Sequence, residues 1–474
     1  MQETMYWHDY ETTGTDAARD RPVQFAGIRT DLELNVISES PLLYSRLSDD
    51  VLPVPEAMLL TGIGPSELEQ KGVPENRFIG TILTEFSQPG TCVVGYNNLR
   101  FDDEFTRHAL YRNLLDPYAR EWQSGNSRWD IIDLVRMCHA LRPEGIEWPL
   151  SEGGLPSFRL EKLTQANGIS HEDAHDALAD VRATIALGGL IRNRQPRLFD
   201  FLFQLRKKQN VLSQLYPLGK APVVHVSSMY PAARSCLAVV LPMAAHPSNS
   251  NGVIAYDLAI DPAPLVELSV EDIRHRIFTP ADQLTEDQER IPLKTIHINR
   301  CPAVAPLNAL TPKNCERLEV DLERCLANMH KLRSASGVVE KIQDVFEQVE
   351  LAPETDPDLM LYRGGFFSSA DRQLMDVIVS SAPGELRNLD SGFHDDRLGE
   401  MAFRYRARNH PETLDLDERK RWDEYRSALW SGGQKINDYL NSLEALGLED
   451  AGRDRVDLLN DLKQWAARLR HSIL

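Results

Sequence analysis

Apolar and polar positions alternate along this chain with two different periods. Residues 5–13 (MYWHDYETT) carry aromatic and β-branched side chains up to a turn at Gly14, which predicts a β-strand. Residues 25–30 and 33–38, separated by a short polar break, predict a hairpin. A loop from residue 59 leads into a short helix near Pro65, and helices are predicted over 78–86, 101–115, 129–141 and 174–191. A short apolar run at 91–97, flanked by glycine, reads as a buried strand. Strands first, then strands alternating with helices, predict an α/β domain over residues 1–192.

Beyond residue 195 the pattern changes. Short β segments at 223–227, 238–241, 252–258 and 293–298 are separated by turns rich in Pro and Asn, as in a small barrel, with a helix inserted between 257 and 293. Residues 314–348 return to the helical period, and everything after about 352 reads as helices with charged faces. The predicted domains are therefore 1–192, 196–350 and 352–474.

Composition narrows the function without choosing it. The chain of 474 residues is 42% hydrophobic and 26% charged, as expected of an ordinary globular protein of two or three domains. No apolar run reaches the length of a membrane span, and the N-terminus lacks the basic and apolar regions of a secretory signal. Six cysteines without a C-x-x-C pair suit reduced thiols in a cytoplasmic protein. The net charge of −19 argues against a uniformly basic nucleic-acid binder; a nucleic-acid enzyme of this composition must gather its Lys and Arg locally.

Candidate chemistry begins in the first strand. Side chains alternate there, so Asp9 and Glu11 share a face, about 7 Å apart along the chain. Two such carboxylates call for a cation between them, and a hard divalent metal is the usual partner. Asp102 opens a predicted helix after the loop 95–101. Asp180 lies on the small-residue face of the helix over 174–191, five residues after His175.

Together, Asp9-x-Glu11, Asn97-(x)3-Phe101-Asp102 and His175-(x)4-Asp180 resemble the signature of the DEDD exonucleases. The resemblance is to their histidine subclass, because Asp176 stands where the other subclass has Tyr. The words HDYET, GYNNLRFDDE, SFRLEKLTQANGI and AHDALADVRAT, with HINRCP and FRYRARNHPETLD later, are similar to the bacterial exonuclease I family. That likeness implies an α/β fold: a ribonuclease H-like exonuclease domain with a mixed sheet, then an SH3-like barrel domain, then an α-helical domain. It implies processive 3′→5′ hydrolysis of single-stranded DNA to 5′-mononucleotides, in DNA repair and recombination. Asp9, Glu11, Asp102 and Asp180 would hold two Mg²⁺ (or Mn²⁺) ions, with His175 as general base. It also implies a cytoplasmic monomer that binds the acidic C-terminal tail of single-stranded DNA-binding protein.

Holding a single strand needs stacking and phosphate neutralisation. Arg107, Tyr111, Tyr118, Trp122, Arg128, Trp129 and Arg136 interleave cations with aromatics near Asp102, and Arg159 in SFRL matches a substrate-contacting arginine of the family. Of these, Arg107, Tyr118, Trp122, Arg136 and Arg159, together with Glu11, are the predicted substrate contacts. Arg206-Lys207-Lys208 and the alternating Arg404, Arg406 and Arg408 are further basic clusters that would help close a channel over the strand. Three alternatives share these letters. His171-Glu172-x-x-His175 spells the zincin pattern, but no downstream ligand follows in the expected form. An exoribonuclease would use the same chemistry, and a silent strand-binding scaffold would be expected to have lost one of the five site residues.

Overall fold

The computed structural model describes residues 3–171, 176–285, 288–347, 353–389, 392–447 and 453–473. Two compact units emerge: one gathers residues 1–127, 172–182 and 352–474, the other 128–171 and 183–351. The first unit thus draws its residues from both ends of the chain.

In the first unit a mixed sheet runs through β1 (Thr4–Thr12), β2 (Pro22–Thr30), β3 (Val36–Glu39), β4 (Leu43–Tyr44) and β5 (Thr91–Gly95). The order is β3-β2-β1-β5, with β4 also pairing β2. β1 is antiparallel to β2, with Asp9 opposite Ala26 and Glu11 opposite Gln24, and parallel to β5, with Trp7 opposite Val94. The predicted hairpin is present, although its second strand starts at Val36, because residues 31–35 form the turn with Leu34 at φ +69°. Helices α1 (Pro55–Thr61), α2 (Pro65–Lys71), α3 (Glu75–Phe86) and α4 (Asp102–Arg112) follow the chain. Residues 59–61, expected in a loop, are instead the last turn of α1, which ends at Gly62 in the left-handed conformation.

One face of β1 is apolar. Tyr6 and Tyr10 join Phe25, Val93, Phe78, Ile79, Ile82 and Phe86 from β2, β5 and α3, and Leu110 from α4. The C-terminal helices complete the unit. Val23, Met58 and Leu68 pack with Trp430, Leu462 and Trp465, while Tyr111 and Leu114 pack with Leu398, Met401 and Tyr405.

In the second unit, five strands form an antiparallel sheet in the order Leu293–His297, Gly252–Asp257, Leu237–Ala245, Val223–Val226 and Ala303–Pro306. The last was not anticipated, since its four residues contain two Ala and a Pro and carry little strand signal. The predicted helix over 129–141 begins at Ile131, because the Asp130 carboxylate accepts the Ile132 N–H and caps it; residues 127–130 are a strand. The helical stretch after 312 breaks into Pro312–Arg317, Leu322–Ser334 and Val338–Val345.

Candidate active site

With Tyr6 and Tyr10 committed to the apolar face, the period of two turns Asp9 and Glu11 to the opposite face of β1. Parallel pairing with β5 stops at Trp7 and Val94, and β5 ends at Gly95. A Cβ at Gly95 would lie 2.7 Å from Asn98 Cβ and 3.1 Å from the His8 carbonyl, so only glycine allows the following loop to double back so tightly. The loop leads into α4, whose first residue returns to β1. There the Tyr10 backbone N–H, past the last residue paired with β5, donates to Asp102 Oδ1 at 3.2 Å. Thr106 Oγ1 donates to the Asp102 carbonyl at 2.9 Å, which leaves Tyr10 Oη as the donor in its 3.0 Å bond to Thr106 Oγ1. Asp102 is thereby held to β1 through both backbone and side chain.

Asp180 arrives by a different route. The helix Ala177–Arg194 is capped by Asp176, whose Oδ1 accepts the N–H groups of Leu178 and Ala179 at 3.1 Å each. The Ala177 N–H donates to Gln24 Oε1 at 3.3 Å, and Gln24 is the residue paired with Glu11. The first turn therefore sits beside β1, and ligand oxygens of Asp9, Glu11 and Asp180 all lie within 4.8 Å of one another.

The electrostatics are those of carboxylates crowded together and shielded from solvent. Burial, followed by the charges of Asp102, Glu11, Asp180 and Asp176, holds the Asp9 carboxyl well above the ordinary range. Burial, then Asp180, Asp102 and Asp176, pushes Glu11 from 4.5 up to about 8. A cation placed among these oxygens would remove the repulsion, and a sulfur-free carboxylate set suits a hard divalent ion. The donor set fits such a metal. His175, the predicted base, lies outside the described residues, as does Glu172 of the zincin pattern. His171 is described, and its Nδ1 pairs with Thr164 Oγ1 at 3.1 Å.

The predicted strand contacts separate into surface and interior. Trp122 is 66% exposed and Tyr118 half-buried, and both line a cavity of about 490 Å³ with Phe366, Phe367 and Arg372. Phe366, 85% exposed, was not picked out from the sequence; an aromatic following two glycines in a helical region was the available signal. Arg107 is not on the surface. It grips Glu121 through two bonds of 2.7 and 3.0 Å, bonds Glu104 and Tyr362 Oη, and lies 5.5 Å from the Tyr118 ring centre. In the second unit Arg136 is likewise buried, bonded to Asp133 at 2.7 Å and 6.0 Å from the Phe158 ring centre. Arg159 is exposed at the start of helix Leu160–Ala166. Trp129 is core, edge-on to Phe199 and Phe203, and Tyr111 is core as well.

The C-terminal arginines differ from expectation. The side chains of Arg404, Arg406 and Arg408, in helix Asp396–Asn409, are almost wholly shielded from solvent and face carboxylates. Arg408 bonds Asp50 at 2.8 Å and Asp358 at 2.6 Å, Arg404 bonds Asp356, Asp358 and Glu400, and Arg406 pairs with Glu418. They are spent on carboxylates inside the unit.

Comparison with known proteins agrees with this architecture along the whole chain. Family models match in succession: Exonuclease over residues 6–187, Exonuclease I SH3-like domain over 206–348, and Exonuclease I C-terminal domain over 355–469. Exodeoxyribonuclease I of Escherichia coli (strain K12) is 47% identical over 471 residues, covering 99% of this chain and 98% of its own length. The chain belongs to the exodeoxyribonuclease I family. Among solved members of that family, a moderately thermophilic exonuclease I from Methylocaldum szegediense is 51% identical, with a TM-score of 0.94 over 99% of this chain and 100% of its own. Escherichia coli exonuclease I in complex with a dA16 oligonucleotide is 46% identical, with a TM-score of 0.95 over 99% and 100% of the two chains. Membership makes this chain a nuclease, a hydrolase of phosphodiester bonds. The exonuclease I architecture of exonuclease, SH3-like and C-terminal domains is the one predicted. No described helix is long and apolar enough to cross a membrane.

Proposed function

We propose that this exonuclease I removes nucleotides from the 3′ end of single-stranded DNA as 5′-mononucleotides, with Asp9, Glu11, Asp102, Asp180 and His175 as its catalytic residues. The observation that carries the reading is the convergence of the Asp9, Glu11 and Asp180 oxygens within 4.8 Å, with Asp102 bonded to the same strand, in a chain of this family. Two Mg²⁺ ions held by the four carboxylates, with Mn²⁺ as a substitute, would activate water and stabilise the leaving 3′ oxygen. The chain's own groups do the rest. Tyr10 and Thr106 fix Asp102, and His175 takes the proton of the attacking water. Trp122 and Tyr118 stack successive bases, with Phe366 extending the path along the same cavity. Arg159 neutralises a phosphate. Arg107 and Arg136 act through the rings they lie against, Tyr118 and Phe158.

The same reading carries processive digestion and a role in DNA repair and recombination. It also carries a monomer at work in the cytoplasm, the acidic tail of single-stranded DNA-binding protein as a partner, and domains divided as 1–192, 196–350 and 352–474. The test uses 5′-labelled single-stranded DNA, with duplex DNA and RNA of the same sequence alongside, in Mg²⁺ or in EDTA. A ladder shortening from the 3′ end, fastest on single-stranded DNA, abolished by EDTA and absent for Asp9→Ala, is expected. Faster loss of RNA would keep the chemistry and replace the substrate; no digestion in Mg²⁺ or Mn²⁺ would refute the reading.

A further inference from the structure

We infer that the buried ion pair between Asp103 and Arg120 is a positioning pair for this reaction, holding the residues that stack the strand in register with the metal-ligand carboxylates. The inference rests on the site reading above. Asp103 follows Asp102 in the first turn of α4, and its backbone N–H is bonded to the Asn98 carbonyl at 2.9 Å. Arg120 lies in the short turn Ala119–Glu121, between Tyr118 and Trp122. Arg120 Nη2 bonds Asp103 Oδ1 at 2.7 Å, and both side chains are wholly shielded from solvent.

The pair does not stand alone. One turn further along α4, Arg107 holds Glu121 with two bonds, so two adjacent turns of the helix grip two adjacent residues of the same turn. The polarities are opposite: α4 supplies an acid and then a base, and the turn supplies a base and then an acid. Sliding the turn by one residue would set like charges against each other, so the arrangement specifies a single register. Stability alone does not explain it. Burying such a pair costs about as much desolvation as its attraction returns, and apolar side chains of similar size often serve equally well. Here the cost is visible, since Arg120 Nε and Nη1 find no partner among the described residues and the guanidinium rests 5.1 Å from the Phe86 ring centre. His8, next to Asp9 on β1, lies against the same Phe86 ring at 4.9 Å and bonds the Val94 carbonyl through Nδ1. A layer of shielded polar groups therefore underlies the carboxylates and extends to the strand-holding turn.

Such an arrangement governs placement. A displacement of about 1 Å between a bound nucleotide and the groups that act on it can cost on the order of 10²-fold in rate. The test compares Asp103→Asn, Trp122→Ala and the double variant with wild type, by single-turnover cleavage of single-stranded DNA in saturating Mg²⁺ and by strand affinity in EDTA. Asp103→Asn is expected to slow cleavage by about 10- to 100-fold with strand affinity changed less than about 3-fold, and to slow the Trp122→Ala enzyme several-fold less than it slows wild type. That non-additivity is the signature of positioning, because a loss of folded protein would scale both backgrounds equally. If Asp103→Asn does not fold, Arg120→Lys, which keeps a buried cation but loses the planar guanidinium, takes its place with the same expectations. Full additivity, or cleavage per folded molecule equal to wild type, would overturn the pair's role and leave the site reading intact. A wild-type enzyme that cuts nothing would overturn both.

Discussion

Glu11→Gln should make the metal-free protein more stable while destroying its activity. Burial and the neighbouring carboxylates raise Glu11 from 4.5 to about 8, so the folded state holds a proton that the unfolded chain releases. Below the unfolded value both states are protonated and the group has no effect. As pH rises above 4.5 the folded state loses stability, and the loss is complete once pH passes about 8. Taken whole, that displacement corresponds to at most ~5 kcal/mol. Glu11 is only partly buried, and solvent and neighbouring side chains relax around it, so about 2 kcal/mol is the expected penalty at pH 8.5. Glutamine keeps the shape and carries no charge, so the variant escapes that penalty. Urea unfolding in EDTA measures it: Glu11→Gln should exceed wild type by about 2 kcal/mol at pH 8.5, and the difference should shrink below ~1 kcal/mol at pH 5. Mg²⁺ should then stabilise wild type more than the variant, because the ion binds the folded state and needs the carboxylate. A variant no more stable than wild type at pH 8.5, or a difference independent of pH, would refute the picture of a strained carboxylate cluster relieved by a cation.

Two further outcomes follow from the geometry. Trp122→Ala should weaken single-stranded DNA binding in EDTA by about 5- to 100-fold, the range of one lost base–aromatic stack, measured by fluorescence anisotropy; unchanged affinity would remove Trp122 from the strand path. Arg408→Met leaves Asp50 without its closest cation and Asp358 with Arg404 alone, both buried, and should cost about 3–5 kcal/mol in urea unfolding; a loss under ~1 kcal/mol would show that those carboxylates find other partners.

The elements legible in this sequence are those whose signal is local. The strand at the N-terminus, the helices following it and the turn to a β-rich middle region are written in periods of two and of 3.6. β1 spans Thr4–Thr12 and α4 begins at Asp102, close to the expected bounds. Errors fell on weak or overridden local signals. The strand at 127–130 has no counterpart among the predicted elements, and the helix predicted over 129–141 covers its last two residues, because its four residues give no alternation to count and the Asp130 cap leaves no glycine or proline at the junction. Strand Ala303–Pro306 and the helices Pro196–Gln204 and Lys208–Leu215 went unseen for related reasons.

By itself, then, the sequence determined that Asp9 and Glu11 share one face of a strand, that Asp102 opens a helix, and that Asp180 belongs to the first turns of another. Each of these depends on neighbours a few residues away. Only the tertiary structure decided that the Asp180 oxygens come within 4.8 Å of those of Asp9 and Glu11, through an Ala177 N–H on Gln24 that bridges 153 residues. It also decided which cations stay free. Arg107, Arg404 and Arg408 look in the sequence like any arginine in a stretch that also holds aromatics, yet their carboxylate partners include Glu121, Asp358 and, 358 residues away, Asp50. A charge shows its type in the chain; whether it faces a ligand or a buried counter-ion depends on what folding places opposite it, and no local pattern encodes that.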